Sequence, residues 1–159
     1  MKPSGPLQTP VTGHEPAGDQ RDAAQALAQF YRALYARDLS LMRQTWSSSP
    51  EAAMDNPLGG IKRGWSEIKP IYEKLFESKG QYRFEFYDYT VHESGDLFYV
   101  VGRERGEIET GGHPMPLAIR TTRVFRRDAD GRWRQVHHHG SIDDPKMLAA
   151  YQDAVLGKR

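Results

Sequence analysis

Four stretches in the second half of the chain decide the fold. They read QYRFEFYDYTVH (81–92), LFYVVGRERGEIE (97–109), LAIRTTRVFRR (117–127) and WRQVHHHGS (133–141). Each mixes aromatic, β-branched and charged residues with a period close to two, which is typical of β-strands. The connections between them are short and contain glycine, so we expect an antiparallel meander of four strands.

Helical spacing of apolar residues appears on both sides of this meander. It predicts helices over about 22–36, 39–46 and 67–78, with Asp19 or Asp22 capping the first and Ser66 the third. Residues 51–56 read as a short extended piece. After the strands, the pair Asp144-Pro145 opens a closing amphipathic helix.

This order of elements predicts the α+β class. We expect a cone-shaped α+β barrel in which a curved antiparallel sheet wraps the N-terminal helices and leaves a cavity at its open end. Residues 1–19 are rich in proline and glycine and are expected to form a disordered or extended tail. Residues 20–143 then form the cone-shaped domain, and residues 144–159 the C-terminal helix.

Composition excludes several classes of function. The 22 basic residues nearly balance the 21 acidic ones, so we expect neither a nucleic acid nor a membrane as partner. The absence of cysteine excludes disulfides, thiolate nucleophiles and iron–sulfur clusters, and it suits a reducing compartment. We expect no secretory signal, because the basic start of the chain is not followed by an apolar run. We expect a cytoplasmic protein without a cofactor.

Two sets of motifs resemble a known superfamily. DNPLGG (55–60), followed by Gly64-Trp65 and the four strands, resembles the nuclear-transport-factor-like superfamily, which includes ketosteroid isomerases and SnoaL-like cyclases. TRVFRR (122–127) and GRWRQVHHHGS (131–141) are similar to the association domain of calcium/calmodulin-dependent protein kinase and its bacterial stand-alone relatives. The resemblance covers roughly residues 20–143. It implies the cone fold and a homodimer formed through the convex face of the sheet.

The ketosteroid isomerase comparison argues against that activity. The resemblance places Asn56 where the general-base aspartate stands in that family, and an amide takes no proton at neutral pH. It places Phe30 and Arg123 at the two oxyanion-binding positions. Without the base and both donors, the resemblance implies that this chain is not a ketosteroid isomerase.

The association-domain comparison suggests a ligand instead. It implies that Arg103 and Arg123 face the cavity, where two guanidiniums would hold a small anionic or polar molecule, such as a carboxylate. Internal carboxylates of Asp55, Glu104 or Glu85 are the alternative partners for these arginines. The candidate ligand-binding residues are Arg103, Arg123, His138, Asn56, Tyr99 and Thr121.

Three consecutive histidines, His137 to His139, alternate in direction if they lie on a strand. They therefore cannot converge on one metal ion. His137 and His139 would need a third ligand from elsewhere, and we predict no metal site. Counting inward positions from the family places Val136 and His138 on the concave face and the other two histidines on the convex, dimer-forming face.

Two functions of different classes remain open at this level. The first is a small-ligand-binding or assembly module without chemistry. The second is an isomerase, dehydratase, cyclase or hydrolase acting on a small polar substrate, with His138, Asp55 or Tyr72 as acid or base. A carboxylate within about 3 Å of His138 would favour the enzyme, because it would orient and activate the imidazole.

Overall fold

The computed structural model describes residues 5–78, 82–110 and 112–157. Its helices and strands follow the predicted α+β order. They are α1 (Ala23–Ala36), α2 (Leu39–Thr45), β1 (Ala53–Asp55), β2 (Lys62–Arg63), α3 (Trp65–Glu77), β3 (Tyr82–Ser94), β4 (Leu97–Thr110), β5 (His113–Arg127), β6 (Trp133–Ser141) and α4 (Pro145–Leu156). None of these helices combines the length and apolar character that a membrane-spanning helix needs.

The strands form one curved sheet in the order β2-β1-β6-β5-β4-β3. The meander β3–β6 is antiparallel throughout, as predicted. The sheet is larger than the four strands expected, because β1 pairs with β6 in parallel and β2 adds to β1. The sequence indicated β1 only as an extended piece and gave no sign of β2, which is two residues long.

Side-chain caps begin two of the helices at the expected residues. Asp22 accepts a hydrogen bond from the backbone of Ala24, and Asp144 accepts two at the start of α4. The cap predicted for α3 is wrong. That helix begins at Trp65, one residue before Ser66, and follows Gly64 without any side-chain cap. Glycine suits this position because its φ is +73°.

The core lies between α1, α3 and the concave face of the sheet. Its largest buried side chains are aromatic, and they include Tyr31, Trp46, Phe86, Phe98 and Phe125. Aromatic side chains of this size bury a large apolar area and account for much of the packing in a small domain.

A buried ion pair crosses this apolar core. Arg123 of β5 is 1% exposed, and its Nη2 lies 2.6 Å from Glu104 Oε1 on β4. Its Nε donates to the Tyr31 hydroxyl and its Nη1 to Gln135 Oε1. The guanidinium also stacks 3.6 Å from the ring centre of Phe30. The charge is therefore neutralised and hydrogen-bonded inside the protein, as a buried cation requires.

We predict that Arg123→Gln destabilises the fold by about 3–5 kcal/mol, because it leaves the buried Glu104 carboxylate without a counter-charge. The double variant Arg123→Met/Glu104→Leu should be closer to the native protein, since it removes both charges. Urea denaturation measures the free energy of unfolding of each variant.

The matched control is Arg103→Gln. Arg103 pairs with Asp88 at 3.0 Å, but its side chain is 56% exposed. A solvent-exposed pair contributes about 1 kcal/mol or less. Equal losses for the Arg103 and Arg123 variants would contradict a stabilising role for the buried pair.

Candidate functional site

A small cavity of about 50 Å³ lies between the helices and the concave face of the sheet. Most of its wall is apolar, with side chains from α1, β1, α3, β3, β5 and α4. The lining residues with polar side-chain groups are Asn56, Tyr72, Glu104, Arg123, His138 and Tyr151. A cavity of this size has room for a few water molecules or for a compact organic group.

A β-bulge decides which residues of β6 reach the cavity. The register with β5 shifts between Val124–His137 and Phe125–Gln135, so Val136 is the extra residue. The buried positions are therefore Gln135 and His138. The predicted inward position of His138 is confirmed, whereas that of Val136 is wrong by one residue.

His138 is the most unusual polar group in the cavity wall. It is only 7% exposed, and neither ring nitrogen has a hydrogen-bond partner within the described residues. Burial, reinforced by the charge of Arg123, holds the pKa of His138 well below its ordinary value. The ring is thus a neutral imidazole with one donor nitrogen and one acceptor nitrogen, both unused.

Gly140 lies close to this imidazole on the same strand. A Cβ at that position would lie 3.2 Å from His138 Nε2, 3.2 Å from the Pro57 ring and 3.3 Å from Ile119. The backbone there is ordinary extended strand, so the glycine is not needed for its conformation. Its effect is to let Pro57, Ile119 and the imidazole pack closely around the strand, because an added Cβ would crowd all three.

Two other polar groups complement His138. The Tyr72 hydroxyl accepts a hydrogen bond from Trp46 Nε1 at 3.3 Å, and burial raises the pKa of Tyr72 to about 12. Tyr72 therefore keeps its proton and can donate it. Asn56 Oδ1 accepts from the backbone of Leu58 at 3.2 Å, which occupies the carbonyl end of the amide and leaves the NH₂ end to donate.

The structure does not bring Arg103 and Tyr99 to the cavity. Both point to the convex face, where Tyr99 is 37% exposed and Arg103 pairs with Asp88. Val100 and Glu104 point inward instead, so the prediction of which alternate residues of β4 face inward is wrong. The segment 97–101 is apolar on both faces, and its direction is set by pairing with β5 rather than by its own alternation.

Thr121 and Asp55 also differ from the predicted site. Thr121 faces the interior and is buried, but it does not line the cavity. Asp55 lies on the opposite face of the sheet from His138. Its carboxylate is 2.6 Å from His139 Nδ1 and 3.6 Å from His137 Nε2. Asp55 therefore cannot act on a ligand in this cavity.

The sequence suggests Glu104 only as an alternative partner of the arginines, and it does not indicate Tyr151 as a cavity residue. Glu104 is the residue that pairs with Arg123, and Tyr151 of α4 closes one side of the cavity. The alternation of inward and outward side chains along β4 would have identified Glu104 if the sequence had shown which of the two sets faces inward. Across the described parts of the chain, no group of three or more His, Asp or Glu side chains is placed to hold a metal ion.

Comparisons with known proteins agree with this architecture. A family model described as a SnoaL-like domain matches residues 23–145. No curated protein sequence matches the chain.

Solved structures share the fold. A candidate association domain of calcium/calmodulin-dependent protein kinase type II from Thiobacillus denitrificans is 27% identical, with a TM-score of 0.65 over 82% of this chain and 100% of that one. A candidate dehydratase of the NTF2-like family from Streptomyces avermitilis is 21% identical, with a TM-score of 0.67 over 74% and 90%. An NTF2-like superfamily protein from Salmonella enterica is 19% identical, with a TM-score of 0.69 over 79% and 91%. The chain therefore belongs to the SnoaL-like domain family.

Proposed function

We propose that this protein is a small-molecule-binding domain whose cavity takes a compact, uncharged polar ligand. The observation that carries the proposal is His138, whose two ring nitrogens are buried in the cavity wall without a partner. A buried donor and acceptor left unpaired cost free energy, so a ligand or water that pairs with both is favoured.

The charges around the cavity support a neutral ligand over the carboxylate that the two arginines suggested. Arg103 is outside the cavity, and Arg123 is neutralised by Glu104. The imidazole of His138 carries no charge. An anion would enter a small, largely apolar space without a free counter-charge, which is unfavourable. A carbonyl, hydroxyl or amide group can instead pair with His138, Tyr72 and Asn56.

The surroundings of His138 also favour binding over catalysis. A histidine that acts as general base is ordinarily oriented by a carboxylate, yet no residue of the described structure hydrogen-bonds to this ring. The nearby candidate, Asp55, lies on the other face of the sheet with His139. Burial moreover weakens the imidazole as a base. These features support the ligand-binding function over an isomerase, dehydratase, cyclase or hydrolase.

We further propose that two copies associate through the convex face, in a cytoplasmic protein. Val101 and Tyr99 expose apolar surface there, at 44% and 37%, and His137 and His139 lie on the same face. An apolar sheet face of this kind is more stable when covered. The similar structures include an association domain and a kinase hub from S. rosetta, which are assembly domains by name.

The ligand proposal can be tested by thermal-shift screening of small alcohols, ketones and amides beside matched carboxylates. Neutral compounds should stabilise the native protein. His138→Phe should weaken their binding roughly 5- to 150-fold, because it removes two hydrogen bonds worth about 1–3 kcal/mol together. Gly140→Ala should weaken it as well, since the added methyl occupies the space beside Nε2.

Arg103→Gln is the control and should bind as the native protein does, because that side chain lies outside the cavity. Stabilisation by carboxylates alone would contradict the neutral-ligand proposal. Equal responses of the native and His138→Phe proteins would show that the cavity is not the binding site.

The buried state of His138 predicts a pH dependence of stability. In the unfolded chain the imidazole takes up a proton near pH 6.5, whereas the folded ring stays neutral to lower pH. The unfolded state then binds more protons, so the free energy of unfolding falls as the pH drops below about 6.5, by up to about 1.4 kcal/mol per pH unit. Urea denaturation at several pH values should show this loss for the native protein and a smaller one for His138→Phe. Parallel pH profiles would mean that the folded ring is protonated.

The dimer proposal predicts that Val101→Lys shifts the protein toward the monomer, because it places a charge in the apolar convex face. Light scattering at micromolar concentration measures the mass of both proteins. Glu107→Lys, on an exposed position of the same strand but farther along it, is the control. A monomeric native protein would refute the dimer.

A further inference from the structure

An extended N-terminal segment lies along the outer edge of the sheet. We call residues 5–19 the strap. Its residues run antiparallel to β3, which is the last strand of the sheet on that side. The matched SnoaL-like domain begins at residue 23, so the strap is an addition to the family domain.

Four backbone hydrogen bonds hold the strap to β3. Leu7 and Tyr89 exchange two, at 2.7 and 3.1 Å, and Val11 and Phe86 exchange two more, at 2.8 and 2.9 Å. These bonds occupy the groups that an edge strand otherwise presents to solvent. The strap thus acts as a short seventh strand over the centre of β3.

Side-chain hydrogen bonds also hold the strap in place, on both sides of these backbone hydrogen bonds. Gln8 Nε2 donates to Asp88 Oδ1 at 2.9 Å, at the point where β3 bulges. The carboxylate of Glu15 accepts from the backbone of Thr12 and Gly13 and shapes a turn. Arg32 of α1 then donates to the Glu15 carbonyl at 2.8 Å.

Gly13 allows the strap to approach α1 closely. Its φ is +87°, and a Cβ there would lie 2.6 Å from the backbone nitrogen of Arg32. Any larger residue would have to displace the backbone of either the helix or the strap. The contact therefore gives a position at which a larger side chain should push the strap away from α1, and release also exposes Val11, which is buried against the core.

The strand beneath the strap is prone to pair with another chain. β3 is 13 residues long, contains neither proline nor glycine, and carries five aromatic residues other than histidine. Long edge strands rich in aromatic residues template intermolecular pairing unless they are covered. In this protein the strap provides the cover.

We propose that the strap is an intramolecular edge strand that prevents β3 from pairing with β3 of a second copy. In the antiparallel register with the two-fold axis between Tyr87 and Asp88, Phe86 of each copy would lie opposite Tyr89 of the other. These are the two residues whose backbone groups the strap occupies. In that register the contact is isologous, as a two-fold interface must be, and the strap and the second copy compete for the same hydrogen bonds.

The test uses full-length variants. Gly13→Val should release the strap, and Leu7→Pro/Val11→Pro should weaken it independently by removing two backbone donors. Ala17→Ser is the control in the same segment, since Ala17 is exposed and the change adds only a small polar group. Light scattering across a concentration series measures mass, and hydrogen exchange measures protection of the Phe86 and Tyr89 amides.

Both strap variants should form species of at least twice the native mass as concentration rises. At low concentration the Phe86 and Tyr89 amides should exchange at least tenfold faster than in the native protein. A synthetic peptide of residues 5–19 should reverse the assembly. Assembly should persist when Val101→Lys is added, which separates it from association through the convex face.

The proposal is overturned if neither variant exceeds the native mass at any concentration. It is also overturned if assembly occurs but the added peptide has no effect on it. Loss of assembly on adding Val101→Lys would assign it to the convex face instead.

Discussion

The buried pair of Arg123 and Glu104 is the constraint on which the rest of the structure depends. A fully buried guanidinium is tolerated only with a counter-charge and with acceptors for its N–H groups. Here these come from different elements: Glu104 from β4, the Tyr31 hydroxyl from α1 and Gln135 from β6. The hydrogen bonds and ion pair of the Arg123 side chain therefore hold α1 against the centre of the sheet.

The same pair gives the cavity its chemical character. Because Arg123 is neutralised by Glu104, the few polar groups in the largely apolar cavity wall carry no net charge. His138 lies directly across from Arg123 in the strand register, and the nearby positive charge together with burial keeps its ring neutral. Arg123, which the resemblance suggested as part of an anion site, thereby belongs to the core, and His138 is a buried cavity residue whose ring nitrogens have no partner within the described residues.

The two faces of the sheet divide the remaining polar residues into separate roles. The concave face carries His138, whereas the parallel pairing of β1 with β6 places Asp55 opposite His139 on the convex face. One run of three histidines thus contributes to two different surfaces. The sheet's outer edge forms a third surface, and the strap covers its central part with residues that precede the family domain.

The sequence by itself determined the class and order of the elements, because helical and strand periodicities are local properties. It also identified Arg123 and His138 as inward residues, through their resemblance to the superfamily. Only the tertiary structure decided which alternate side chains of β4 face the core, since LFYVV at 97–101 has no polar face that would mark the solvent side. The bulge at Val136, the partner of Arg123 and the docking of the strap likewise depend on contacts between residues distant in the chain. Such pairings are set by register and packing, which no local pattern encodes.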